Sequence, residues 1–208
     1  MPAAFDNATR QSLLMRLSDD AAAVREVAWE EFHAWYAPLI AGFARRLGVR
    51  GAEVDDVVQD VLLGFFKRVP GFRYDAGRGR FRGYLKVCTV RAVRLRQKQA
   101  GGAVATAPDV LDRNAATLET AWHEAREENL LRRALLQIRA RHAGSRVCQA
   151  FEAVVLQARS PAEVAEEFGM GIEGIYKAKQ RISTELRQAV RRLRDEEPVA
   201  FTLGTRAT

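Results

Sequence analysis

With 208 residues, 48% of them apolar, the chain can bury one ordinary core or two small ones, which excludes a disordered tail. A formal charge of +7 and a pI near 9.9 suit a polyanionic partner, nucleic acid or an anionic membrane surface, without choosing between them. No apolar run approaches the roughly 18 residues of a membrane span, and Met1 to Arg10 carry no apolar signal core, so a cytoplasmic location is expected.

Strand signals are weak, whereas apolar residues return every three or four positions, which predicts an all-α fold. From Asp20 to Leu47 a stripe of Val24, Ala28, Phe32, Trp35, Leu39, Phe43 and Leu47 predicts a helix that Pro38 should kink or restart, with Gly48 as its stop. The next helix, Glu53 to Val69, sets Val54, Val57, Val58, Val61, Leu62, Phe65, Phe66 and Val69 on one face. Asp56, Gln59, Asp60 and Lys67 lie opposite. Pro70 and Gly71 end it, and the glycine-punctuated Phe72 to Gly79 reads as a loop before a helix from Arg80 to about Gln99. Between Lys67 and Lys98 eleven lysines and arginines face a single acid, Asp75, a surplus larger than the charge of the whole molecule.

The stretch 100–116, with Gly101, Gly102 and Pro108, has no period and reads as a flexible linker between two small helical domains. The organisation expected is therefore a first domain over 1–99, the linker over 100–116, a second domain over 117–195 and a tail over 196–208. In the second domain, helical pattern runs from Leu118 through Trp122, Leu130, Leu131, Leu135 and Ile138 to His142, then from Arg146 to Gln157. Cys88 and Cys148 sit in apolar helical context and read as small core residues, since neither their number nor their spacing supports a disulfide framework or a zinc site.

From Pro161 to Ala178 the spacing is that of a helix-turn-helix. Ala165 is small where the two helices cross, Gly169 gives the turn its backbone freedom, and Val164, Phe168, Met170, Ile175 and Ala178 supply a small core. Ser160, Pro161 and Glu163 form a capping-box pattern. With Ile175, Ile182 and Leu186 turned inward, Glu173, Tyr176, Lys177, Gln180, Arg181 and Thr184 point outward, where they can reach a major groove. Lysine and arginine donate to phosphates or guanine edges and glutamine pairs with adenine, so this face predicts DNA binding. An ordinary helical hairpin with a solvated basic face is the bland alternative.

These residues resemble RNA polymerase sigma factors of the extracytoplasmic-function type over nearly the whole chain. Glu53-Val54-Asp55-Asp56-Val57-Val58-Gln59-Asp60-Val61-Leu62-Leu63 is similar to the family's acidic helix, which docks on the β′ clamp helices of the polymerase core. The resemblance thereby assigns core-polymerase binding to Asp56, Gln59, Asp60 and Leu63. Phe72-Arg73-Tyr74-Asp75 and Gly77 to Leu85 resemble the loop and helix that open and read the promoter −10 element. That assigns −10 contacts to Arg78, Arg80, Arg82, Tyr84, Arg91 and Arg94, with Phe72, Tyr74 and Phe81 either stacking on exposed bases or serving as core, burial being favoured for Phe81. Pro161 to Arg194 resembles the module that reads the −35 element, which assigns Glu173, Tyr176, Lys177, Gln180 and Arg181 to it.

Phrasing such as Thr9-Arg10-Gln11-Ser12-Leu13-Leu14 and Gln149-Ala150-Phe151-Glu152 is similar to the planctomycete branch. The resemblance also implies the polymerase β flap as a partner and allows an anti-sigma protein. Arg91 and Leu95 stand where many members carry asparagine and aspartate, and Gly171 replaces a usual serine cap, so the bases read are left open.

Two rival readings fit the sequence less well. A stand-alone helix-turn-helix regulator would leave the acidic helix and the basic middle third without a purpose. A nucleic-acid enzyme lacks support: His33, His123 and His142 are scattered, no phosphate loop or paired nucleophile is present, and adjacent Asp55 and Asp56 diverge by about 100° on a helix. No catalytic activity, metal or cofactor is expected.

Overall fold

The structure, a computed structural model, describes residues 9–69, 72–73, 81–99, 115–195 and 202–203. Eight helices are formed among the described residues: α1 (Thr9–Arg16), α2 (Ala22–Arg46), α3 (Glu53–Phe66), α4 (Phe81–Gln99), α5 (Ala115–Arg141), α6 (Arg146–Val155), α7 (Pro161–Phe168) and α8 (Ile172–Asp195). The fold is all-α but for one antiparallel pairing of β1 (Phe72–Arg73) with β2 (Thr202–Leu203). Arg78 and Arg80, and all of the linker short of Ala115, lie outside the described residues, as does the side chain of Arg82.

The chain divides into two compact units, one comprising Met1–Asn129 with Glu196–Thr208 and the other Leu130–Asp195. In the first, α2 places Ala28, Phe32, Tyr36, Leu39, Ile40, Phe43 and Ala44 in the core. No restart occurs at Pro38: α2 is a single helix with the proline inside it. The missing N–H and the ring clash cost about 3 kcal/mol in an isolated helix. Burial of Leu39, Ile40 and Phe43 on the proline's C-terminal side offsets that, since each fully buried side chain of this kind contributes about 1.5–3 kcal/mol. Gly48 stops the helix as expected, at a φ of 91°, with its N–H on the Arg45 carbonyl at 3.0 Å and that of Val49 on Ala44 at 3.1 Å.

Helix α3 buries Val54, Val57, Val58, Val61, Leu62 and Phe65, and its first-turn acids Glu53, Asp55 and Asp56 suit the positive end of the helix dipole. Phe66, expected on the apolar face, is instead 52% exposed, because it stands one residue past Phe65 and so about 100° around the helix. Phe65 stacks on Phe32 at 4.8 Å between ring centroids, and fully buried Phe81 meets Phe32 edge-on at 5.7 Å and Tyr36 at 5.1 Å. These rings join α2, α3 and α4. On α4 the buried Thr89 is satisfied by its own helix, its Oγ1 donating to the Leu85 carbonyl at 2.8 Å.

The division between the compact units falls after Asn129. Trp122 and Ala125 of α5 are buried in the first unit's core, with the Trp122 ring edge-on to Phe43 at 5.0 Å. Arg46 adds hydrogen bonds to Glu124 (3.2 Å) and Glu128 (2.9 Å), and Asn129 Nδ2 donates to the Trp35 carbonyl at 3.3 Å. The sequence hides this boundary because the apolar period of Leu118, Trp122 and Ala125 runs without a break into Leu130, Ala134 and Ile138.

In the second unit one cluster gathers Ile138, Cys148, Phe151 and Ile182, and another gathers Ala150, Ala153, Val164 and Ile175 with half-buried Phe168 and Met170 against it. Burial pushes the Cys148 thiol up from its ordinary range, which fits a core residue. Ser160 precedes Pro161 in an extended conformation, but its hydroxyl makes no capping bond, contrary to the capping box expected; its carbonyl accepts from the Val164 N–H at 3.1 Å.

Gly169 ends α7 in the left-handed region at φ 62°, and the Met170 N–H bonds the Ala165 carbonyl at 2.9 Å. A Cβ there would meet nothing within 4 Å, so the cost of one is purely conformational. Gly169→Ala should destabilise the second unit by about 1–2 kcal/mol. Urea denaturation of the full chain checks this, and an unchanged midpoint would mean that the turn tolerates a side chain.

Candidate functional site

Three exposed faces carry the residues expected to bind partners. The first is on α3, where Asp56, Gln59, Asp60 and Leu63 are all exposed on one side of the helix. Beyond Leu63 the face continues into Phe66, which lies 4.9 Å from the Trp29 ring on α2. Phe66 was missed as a surface residue because an aromatic side chain at core spacing reads as interior. Beside this face, His33, Ala37, Pro38 and Ala41 of α2 and Asp55, Val58 and Gln59 of α3 line a shallow groove of about 460 Å³.

The two aspartates are tied to α4. Arg96 Nη1 donates to Asp56 Oδ2 at 2.8 Å, while Nε and Nη2 donate to Asp60 Oδ2 at 2.9 and 2.7 Å. The bonds to Asp60 and then the attraction of both carboxylates hold the guanidinium's affinity for its proton above the ordinary value. No sequence pattern links position 96 to positions 56 and 60.

The second face is on α4. Arg91 and Arg94 are exposed as expected. Tyr84 is half-buried between the Phe65 and Phe81 rings, each 6.1 Å away, and its hydroxyl accepts from Arg68 Nη1 at 3.2 Å. Burial, then the Cys88 hydrogen bond, pushes its phenol up to about 12, so it remains a neutral donor throughout the physiological range. Lys86, from the same helix, is engaged by Glu119.

The third face is on α8. Glu173, Tyr176, Lys177, Gln180, Arg181 and Thr184 all point to solvent, with Lys177, Gln180, Arg181 and Thr184 lining an open groove of about 350 Å³ together with Glu185 and Gln188. Lys177 lies 4.0 Å from Glu173, and Arg181 Nε donates to Glu185 Oε1 at 3.2 Å. Glu185 also lies 2.7 Å from His142 Nε2.

The His142 hydrogen bond, followed by that of Arg181, holds the Glu185 carboxyl below the ordinary carboxylate range. A depressed folded value contributes stability that is fully present above the unfolded value of about 4.3 and is lost as pH falls through the folded one. Wild type should therefore be more stable than Glu185→Gln at pH 7, with the difference closing as pH falls below about 4. Thermal melts of both proteins from pH 7 to 3 test this, and a difference independent of pH would discount the pairing.

No described helix is long and apolar enough to cross a membrane. No curated protein matches the chain. Residues 33–101 match the family model for sigma-70 region 2, a span that holds the acidic face of α3, the exposed arginines of α4 and all but the first half of α2. Members of that family serve transcription initiation, bind the RNA polymerase core and catalyse no reaction. Within the first unit, residues 33–101 are thus similar to sigma-70 region 2, a domain of RNA polymerase sigma factors.

Proposed function

We propose that the chain is an alternative sigma factor of the extracytoplasmic-function type, similar to the planctomycete branch, which directs core polymerase to a particular set of promoters in the cytoplasm. The observation that carries the reading is the pairing of two unlike faces on one small domain: acids with an apolar flank on α3, and exposed arginines on α4. In this reading Asp56, Gln59, Asp60 and Leu63 dock on the β′ clamp helices. Arg91 and Arg94, with Arg78, Arg80, Arg82 and Tyr84, hold the −10 element as it melts, by phosphate contact and stacking.

The second unit reads the −35 element as a helix-turn-helix. α7 and the three-residue turn set α8 so that Glu173, Tyr176, Lys177, Gln180 and Arg181 face the duplex, and the unit meets the β flap. An anti-sigma protein is the kind of partner that would restrain such a factor. A helix-turn-helix regulator acting without polymerase would have no use for a region 2 domain.

In vitro transcription with core polymerase on genomic fragments tests the proposal. New start sites that require the chain support it. Duplex binding with no new start sites would favour the stand-alone regulator.

A further inference from the structure

Asp56 and Asp60 sit one helical turn apart on α3, an arrangement in which like charges repel and each side chain is otherwise loose. Arg96 lies between them, and its guanidinium engages only Oδ2 of each carboxylate. Among the described residues no hydrogen bond reaches either Oδ1. With the arginine in place the two aspartates stay 51% and 47% exposed, whereas Arg96 itself is 30% exposed. The neighbouring α4 arginines, Arg91 and Arg94, are exposed, and Arg96 is turned to the α3 carboxylates.

We propose that Arg96 is a positioning residue for polymerase docking: it fixes the two aspartates in one geometry, each with an oxygen left for a cationic side chain of the polymerase. This rests on the reading of α3 as the polymerase-docking face. Its fork supplies three fixed donors, which a lysine's single ammonium cannot reproduce. It also lowers the mutual repulsion of the pair without covering it. Fixing side chains before association removes an ordering cost that docking would otherwise carry. A mere surface neutraliser would act in the opposite sense, since removing its positive charge would strengthen attraction for a basic partner.

The test measures the affinity of the full-length chain, fluorescently labelled, for core RNA polymerase from the same organism. Arg96→Gln should weaken binding about five- to tenfold, the loss of roughly one ordered side chain's worth of preorganisation. Arg96→Lys should recover part of that loss, and thermal melts should show both variants folded, since the pair is exposed. In an Asp56→Asn/Asp60→Asn background, Arg96→Gln should have no further effect, because the arginine acts only through those carboxylates. Unchanged or tighter binding by Arg96→Gln, with Asp56→Asn/Asp60→Asn still weak, overturns the positioning role alone. Full-strength binding by Asp56→Asn/Asp60→Asn overturns the docking face itself.

Discussion

Trp122→Ala should destabilise the first unit by about 3–5 kcal/mol, a large share of the roughly 5–15 kcal/mol that holds a domain folded. Trp122 is 7% exposed and packs edge-on against Phe43, with Ala125 buried beside it. Truncating it removes apolar burial and leaves a cavity that the rigid α2 can only partly close. Urea denaturation followed by circular dichroism checks the value. A loss below about 1 kcal/mol would mean that residues 115–129 only rest on the unit. The same packing predicts that a fragment ended at residue 101, where the sigma-70 region 2 match stops, folds poorly because it lacks Trp122 and Ala125.

If α3 docks on polymerase and α8 on DNA as proposed, the double charge reversal Asp56→Lys/Asp60→Lys should abolish binding to core polymerase while leaving the affinity for duplex DNA intact. Close charge pairs across an interface couple by about 1.5–7 kcal/mol each, so reversing two should weaken binding at least a hundredfold. The fold should survive, since the lost Arg96 contacts are solvent-exposed and such pairs contribute about 0–1 kcal/mol. Polymerase pull-down and fluorescence anisotropy with duplex DNA read the two affinities separately. Loss of both together would show that the two binding functions are not separable.

Helices α3 and α8 were legible from sequence because each carries a clean amphipathic period with charges confined to one side. Local chemistry also placed Gly48 and Gly169, whose left-handed backbone marks the ends of α2 and α7. What stayed hidden depends on distant partners. Arg96 is 36 and 40 residues from the acids it joins, and nothing in a helical period distinguishes it from Arg91 or Arg94. Pro38 and Ser160 mislead in a related way. A propensity rule prices the isolated helix, whereas the core around Leu39 and Ile40 decides the outcome at Pro38. The pairing of Phe72–Arg73 with Thr202–Leu203 joins segments 129 to 131 residues apart and is too short to leave a pattern.

Trp29, Trp35 and Trp122 are the chain's three tryptophans, and every one belongs to the first unit; the second has a single aromatic hydroxyl, Tyr176. Indole emission therefore reports on the first unit alone. Excitation at the red edge of the absorbance band gives an unlabelled optical signal for events at α2 and α3, with Trp29 beside Phe66 placed to sense anything that covers that face.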